Sequence, residues 1–245
     1  MSHLTAFCTG RLKRRTLLRV FLPLILASYF GSLGGAISML PGPFDWRTRA
    51  MSKLLYPKND PKFHALVSAG VAIAGLLMIP FAGYIGRRLR PIAPATAMAG
   101  ALVFGAGAIS LILAALIAWQ GFLHELFARS AGLCFGIGLL AFYLGALRGI
   151  SARQNDRQAW LRLFRIWSLI APAALLVVIL RLLAAAHFQS PNPIYREIEN
   201  RSLWHLGFWE WSGSAAVFLF LLAATLFLPK TVTSEIAVES RFDPL

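Results

Sequence analysis

The chain has 245 residues, of which 58% are hydrophobic and 14% are charged. Soluble globular domains carry about 45–50% apolar and about 25% charged residues, so this composition excludes an ordinary soluble domain and indicates one membrane domain. The formal net charge of +14 is distributed over short clusters between apolar runs. Such clusters cannot form one continuous basic face, and we therefore expect no nucleic-acid partner.

Six apolar stretches are long enough to form membrane-spanning helices, which need about 20 residues each. They lie at roughly 17–40, 64–86, 95–118, 131–149, 164–187 and 207–228. The predicted fold is all-α, an integral membrane bundle of six transmembrane helices. Its predicted parts are a basic N-terminus over 1–16, the six-helix domain over 17–228, and a tail over 229–245. External loops are expected near 41–63, 119–130 and 188–206.

The distribution of Lys and Arg predicts the orientation of this bundle. The short turn Gly86–Pro91, with the sequence GRRLRP, is basic, and short loops follow the positive-inside rule best. Both termini are therefore predicted to face the cytoplasm, in a bacterial-type inner (plasma) membrane. The basic start and the apolar stretch before Gly34 and Ala36 also fit a signal peptide. An uncleaved first helix is favoured because the apolar stretch is long for a signal sequence.

The first external loop, 41–63, has turn signals at both ends, and its apolar residues recur at roughly helical spacing. These residues are Trp46, Met51, Leu54, Leu55 and Tyr56. The pattern predicts a short amphipathic helix on the outer membrane surface, or equally a surface helix that caps the bundle.

Small residues recur at four-residue spacing in three of the predicted spans, a pattern that lets membrane helices approach closely. The pairs are Gly31 with Gly35, Gly70 with Ala74, and Gly132 with Gly136. We interpret them as a helix-packing signal, which gives no indication of a pore.

Most His residues and several carboxylates are predicted to lie in one layer on the external side. The layer comprises His64, His124, His187, His205, Asp45, Asp60, Glu125, Glu197, Glu199 and Glu210. Amphipathic rings are typical of membrane interfaces, which is the first interpretation of these His residues. The second is a zinc site formed by His64, His124, His187 and His205, since His and carboxylate are ligands of catalytic zinc. No two of these His residues have the spacing of a helical zinc motif.

Arg181 and Glu210 differ from the other charged residues because both lie inside predicted spans, at similar depth from the external side. A charge within a span is costly and nearly always faces the interior of a bundle, where it is paired or hydrated. We therefore predict that the two side chains pair or that both line one external-facing cavity. The alternative is that each extends independently to the membrane surface.

Two short patches resemble the DUF998 and Frag1/DRAM-type six-span membrane proteins. One is the loop sequence R-x-x-S-x-L from Arg49 to Leu54, and the other runs from His124 to Gly132, before a span rich in small residues. Those families tend to have an acid after the loop serine, where this chain has Lys53. The resemblance implies a compact six-helix bundle and gives no catalytic residues to carry over.

Three functions are compatible with these patterns. The first is a non-enzymatic membrane protein whose external-facing cavity binds a lipid headgroup or small amphiphile, or which acts as an accessory or sensor subunit beside other membrane subunits. The second is a metal-dependent hydrolase, and the third is a small-solute transporter. The first requires no cofactor, and no catalytic residue is assigned. The candidate cavity residues are Arg181, Glu210, His124, Glu125, His187, His205, His64 and Asp45.

Overall fold

The computed structural model describes residues 7, 10–40, 42–46, 49–57, 63–151, 158, 161–170 and 206–228. Within these ranges the regular structure is entirely helical. Five helices are long and apolar enough to cross a membrane, so the chain is a multi-pass membrane protein. They are α1 (Arg14–Ser38), α2 (His64–Leu89), α3 (Pro94–Leu116), α4 (Gly121–Ser151) and α5 (Leu206–Phe227).

Helices α1 to α4 alternate in direction, and α5 begins at the same end as α2 and α4, so the two ends of the bundle differ chemically. The described acidic residues, Asp45, Glu125 and Glu210, belong to the end where α2, α4 and α5 begin, and we call it the acidic end. The opposite end, where α1 begins and α2 finishes, is the basic end. Its described Lys and Arg residues are Arg11, Lys13, Arg14, Arg15, Arg19, Arg87, Arg88, Arg90, Arg148, Arg162 and Arg165.

The helix α1 is not uniform, because two of its segments, Leu17–Phe21 and Ala27–Gly31, are π-helical. π-helical turns are rare, and they occur frequently at functional sites. The second segment contains Tyr29, a polar residue that is only 8% exposed. This π-helical segment therefore contains a buried phenol whose hydroxyl needs a hydrogen-bond partner from another helix.

Close helix packing depends on glycine at several positions, as the small-residue pattern predicts for Gly70. A Cβ atom on Gly70 would lie 2.4 Å from the backbone oxygen of Ser28, so α1 and α2 are almost in backbone contact there. Ala74 is fully buried on the same helix. In contrast, a Cβ on Gly31, Gly35 or Gly132 would meet no described heavy atom within 4 Å. The prediction is confirmed for Gly70, whereas Gly31, Gly35 and Gly132 make no such close approach to the described helices.

The helix α4 begins at Gly121, well before the start at 131 that hydropathy predicts. A loop over 119–130 is therefore wrong, and only the turn over 117–120 joins α3 to α4. Two local interactions explain the longer helix. Glu125 and Arg129 form an exposed ion pair one turn apart, and the His124 side chain is bound by α3. An average of hydropathy treats each of these polar residues as unfavourable in a span, and it takes no account of such interactions.

The amphipathic segment of the first loop is a single 3-10 turn, Met51–Leu55. Its apolar side chains Met51, Leu54 and Leu55 are buried in the main core of the bundle, while Lys53 is exposed. The segment therefore caps the bundle, which is the second of the two predicted alternatives.

The predicted fifth span, 164–187, lies mostly outside the described residues. Residues 161–170 are helical, and they pack on α4 and α5. Trp167 is fully buried and stacks on Phe220 with 4.0 Å between ring centroids, and Tyr143 shares a hydrogen bond with Ser168.

Candidate functional site

The carboxylate of Glu210 is bound by Ser52 at the acidic end. The backbone N–H of Ser52 donates to Oε2 and its hydroxyl donates to Oε1, both at 3.1 Å. The first N–H groups of a helix have no partner within the helix, and Ala50, at the N-cap of the 3-10 turn, has no side chain that could accept from them. Glu210 therefore caps this turn from another helix and ties the first loop to α5.

A second polar contact lies next to the first. The hydroxyl of Tyr29 shares a hydrogen bond of 2.8 Å with the hydroxyl of Ser214, one turn along α5 from Glu210, and lies 3.5 Å from Sδ of Met51. Met51, which the Tyr29 hydroxyl contacts, directly precedes Ser52, the residue that binds Glu210, so the two polar contacts are adjacent. Three elements, α1, the 3-10 turn and α5, therefore contribute polar groups to one place.

Aromatic rings surround these polar groups. The ring of Trp211 stacks on Phe30 with 6.3 Å between centroids, and Phe44 from the first loop meets it edge-on at 6.2 Å. Phe218 packs against both Tyr29 and Phe30. We call this set of rings, together with Glu210, Ser52 and Ser214, the Glu210 site.

The indole N–H of Trp211 is buried and has no hydrogen-bond partner in the described part of the chain. A buried donor without a partner costs about 1–3 kcal/mol, and such groups in native structures call for an explanation. Glu210 and Trp211 are only partly buried as whole residues, so the site is not sealed from its surroundings.

The start of α5 is fixed by a close backbone approach. A Cβ atom on Gly207 would lie 2.4 Å from the backbone oxygen of Arg49 and 3.0 Å from that of Trp46. The ring of Trp46, which lies in the same loop as Arg49, stacks on the ring of Phe208 in α5. Only glycine allows α5 to lie this close to the loop, and this contact sets the depth of Glu210.

His124 has a structural role in the described geometry. It is 3% exposed, and its Nδ1 lies 2.8 Å from the backbone oxygen of Ala114 in the last turn of α3. A carbonyl oxygen only accepts, so Nδ1 carries the proton and caps a helix end that would otherwise lack a donor. The other ring nitrogen, Nε2, is buried and has no described partner. The ring of Tyr56 meets this imidazole edge-on at 5.3 Å.

The other predicted site residues are only partly brought together. Asp45 and Glu125 are exposed at the acidic end, and Glu125 pairs with Arg129. His64 lies at the start of α2, at the same end. Arg181, His187 and His205 lie outside the described residues, so the Arg181–Glu210 pair and the four-His layer stay predictions. Among the described residues, no three His, Cys, Asp or Glu side chains are grouped so that they could hold a metal ion.

Sequence reasoning identified Glu210 and missed its partners. Ser52, Tyr29 and Ser214 are uncharged and of types that occur throughout membrane helices. The signal for Ser52 was its place in the R-x-x-S-x-L patch, and the signal for Tyr29 was a phenol inside an apolar span. Neither signal indicates which helix lies opposite.

The fold and the site define a class: a multi-pass helical membrane protein with a carboxylate in an aromatic-lined site at one end of its bundle. No protein-family model, no curated protein and no solved structure matches this chain. The resemblance to DUF998 and Frag1/DRAM-type proteins therefore stays a prediction.

Proposed function

We propose that this chain is a non-enzymatic membrane protein that binds a lipid headgroup or small amphiphile at the Glu210 site, and that the headgroup carries an ammonium group. The observation that most supports this is the buried indole N–H of Trp211, which has no partner in the described structure and belongs to the residue next to Glu210. A site with an unmet donor beside a carboxylate favours a ligand with both a cation and an acceptor.

The chemistry of the site matches such a headgroup. The Glu210 carboxylate attracts a cation, and the faces of Phe30, Phe44 and Trp211 add cation–π attraction of roughly 0.5–2 kcal/mol. The indole N–H would donate to a phosphate or carbonyl oxygen of the same molecule. An apolar tail would extend beside the exposed side chains of α5, such as Leu219.

The proposal includes a six-span topology with both termini in the cytoplasm of a bacterial-type inner membrane. The helical segment 161–170 supports a span in the 164–187 window. The separation of charge supports the orientation, because the described acids are at one end and most described Lys and Arg residues are at the other. On this orientation the Glu210 site faces the outside, where it would meet external amphiphiles or the outer leaflet.

Arg181 keeps its place in the proposal as a second charge at the same depth as Glu210. If the two act together, a double-mutant cycle with Arg181→Leu and Glu210→Gln gives a non-additive loss of stability or binding. Independent and additive losses would remove Arg181 from the site and leave Ser52 as the partner that positions Glu210.

Ligand-dependent stability of the purified full chain in a non-ionic detergent tests the proposal. The amphiphiles are dodecyltrimethylammonium, dodecylphosphocholine and dodecyl sulfate, each below the concentration that unfolds the protein. A ligand that binds only the folded state stabilises it by about 2.7 kcal/mol at a hundredfold excess over Kd. We expect stabilisation by the two ammonium compounds and none by dodecyl sulfate.

Two variants and one control locate the effect. Glu210→Gln should lose most of the stabilisation by both ammonium compounds. Trp211→Phe removes the indole N–H and keeps an aromatic face, and it should weaken binding of dodecylphosphocholine about tenfold, the loss expected for a hydrogen bond to a charged group, with a smaller effect on dodecyltrimethylammonium. Glu125→Gln, an exposed acid at the same end, should bind as the parent protein does. Equal stabilisation by all three amphiphiles, or equal loss in the Glu125 variant, would contradict the proposal.

A further inference from the structure

The start of the described chain lies directly on the far end of α2, at the basic end. Gly10 has a φ of +63°, and a Cβ atom on it would lie 2.0 Å from the backbone nitrogen of Tyr84. The guanidinium of Arg87 donates to the backbone oxygen of Gly10 at 2.9 Å. The N-terminal segment is therefore fixed against α2 by a contact that only glycine permits and by one charged hydrogen bond.

Three Arg residues lie at or beside this contact: Arg87 itself, the next residue Arg88, and Arg11, which directly follows Gly10. Arg87 is exposed at the end of α2, with the like charges of Arg88 and Arg11 as its neighbours. The guanidinium of Arg88 lies over the ring of Tyr84, 5.4 Å from its centroid. Like charges at this range repel one another, and a bound anion would replace that repulsion with attraction. Guanidinium groups also present paired donors that match the oxygens of phosphate.

Tyr84 supplies an independent observation that points to a ligand. The residue is 0% exposed, and its hydroxyl has no hydrogen-bond partner among the described residues. A buried hydroxyl without a partner destabilises the folded state. The Arg88 guanidinium lies over the Tyr84 ring, and Arg87 follows three residues along the same helix. An unmet O–H donor therefore lies beside a concentration of positive charge, where an anion would bind to both.

The position of these residues in the bundle indicates which class of anion the site would bind. The residues Tyr84, Arg87 and Arg88 form the last turns of a helix long enough to span a bilayer, so they lie at the level of lipid headgroups. The described acids are all at the opposite end. Basic side chains at this level attract the anionic headgroups of the membrane surface.

We infer that Tyr84, Arg87 and Arg88, with Arg11 from the N-terminal segment, form a binding site for a phosphate group at the membrane surface. The phosphate belongs to an anionic lipid or is free in solution. Arg88 lies over the Tyr84 ring, so access of the phosphate to the buried phenol requires this flexible side chain to turn aside. This site is separate from the Glu210 site and does not depend on its function.

Native mass spectrometry of the purified full chain tests this inference by counting bound lipids. The additions are phosphatidylglycerol, phosphatidylcholine and, in a separate arm, inorganic phosphate as a competitor. We expect phosphatidylglycerol to bind more tightly than phosphatidylcholine. Loss of bound phosphatidylglycerol on addition of inorganic phosphate would show that the site takes either source, and no competition would show that it takes the lipid. Equal binding of both lipids, without phosphate binding, would overturn the inference.

The variant Tyr84→Phe separates this site from diffuse attraction by surface charge. It removes a hydroxyl that makes no described hydrogen bond, so the ligand-free protein should be as stable as the parent or more so. Its affinity for phosphatidylglycerol should fall about tenfold, as for a hydrogen bond to a charged group. Arg88→Gln should lose affinity similarly, and Arg165→Gln, an exposed Arg at the same end, should not. Unchanged affinity in Tyr84→Phe, or equal loss in Arg165→Gln, would overturn the inference.

Discussion

Ser52 and Glu210 are 158 positions apart in the sequence, and two hydrogen bonds of 3.1 Å join them. One donor is a backbone N–H at the start of a helical turn, and the other is the serine hydroxyl. The pair ties the first loop of the chain to its last described helix. A carboxylate in a membrane helix is thereby held in one position, which is what a binding site for a cationic headgroup requires.

The first prediction concerns the coupling between these two residues. Ser52→Ala removes one of the two donors, and Glu210→Gln removes the charge that both donors bind. Hydrogen bonds to charged groups contribute about 1.5–3 kcal/mol when buried, and the partial exposure of Glu210 reduces this to about 1–2 kcal/mol per variant. Unfolding by sodium dodecyl sulfate should show that the double variant loses less stability than the sum of the two single losses. Strict additivity would mean that the two residues do not interact.

The second prediction concerns the backbone contact beneath the site. Gly207→Ala places a methyl group 2.4 Å from the Arg49 oxygen, and the loop or α5 must move. Such overpacking typically costs about 1–3 kcal/mol. Gly213→Ala is the matched control on the same helix, because its Cβ would meet no described heavy atom within 4 Å. The control should be neutral or stabilised by up to about 1 kcal/mol, since alanine favours helix.

The same two glycine variants should also differ in their affinity for the ligand. A displaced α5 moves Glu210 away from Ser52, so Gly207→Ala should weaken dodecylphosphocholine binding even in protein that remains folded. Gly213→Ala should bind as the parent does. If both variants bind equally well, the approach of α5 to the loop has no part in the site.

The third prediction concerns Tyr29. Tyr29→Phe keeps the ring that packs on Phe30 and Phe218 and removes the hydroxyl bound to Ser214. The Ser214 hydroxyl then loses its described partner, and the free energy of unfolding should fall by about 1 kcal/mol. Ser214→Ala should cost a similar amount, and the two changes together should cost little more than either alone. If the double variant lost the full sum of the two single costs in thermal or detergent unfolding, the hydrogen bond between Tyr29 and Ser214 would be contradicted.

The fourth prediction concerns His124, whose Nδ1 caps the end of α3. His124→Phe fills the same space and leaves the Ala114 oxygen without its donor, so stability should fall by about 1–3 kcal/mol. Glu125→Ala is the neighbouring control, and the loss of its exposed ion pair should cost less than about 0.5 kcal/mol. Equal effects of the two changes would show that His124 is not a cap. Stoichiometric zinc that disappears in His124→Phe would instead favour the metal site.

The fold was largely predictable from sequence because lipid imposes a simple rule on helix length and polarity. The starts of α2, α3 and α5 lie within a residue of their predicted positions. The start of α4 was missed because His124, Glu125 and Arg129 are polar, although each is accommodated by a specific contact. Hydropathy adds residues one at a time, and it cannot represent an ion pair or a cap from another helix.

The candidate site was predictable only as a single residue. Glu210 was identified because a charge within a span is costly wherever its partner lies. Ser52 and Tyr29 could not be assigned to it, because sequence spacing is informative within one helix and carries no distance between helices. The interpretation of His124 as a cavity residue had the same weakness. Its bond to Ala114 depends on how α3 and α4 meet.

The central claim is that an ammonium amphiphile occupies the Glu210 site, and photo-crosslinking tests it most directly. A phosphocholine amphiphile with a photoreactive group near its headgroup is bound to the purified chain, and the complex is irradiated. The points of attachment are then mapped by peptide mass spectrometry. Labelling is predicted in the Met51–Leu55 turn and the first turns of α5, and it should be lost in Glu210→Gln but retained in Glu125→Gln. Labelling spread over the lipid-facing surfaces of all helices, and unchanged in Glu210→Gln, would contradict the account.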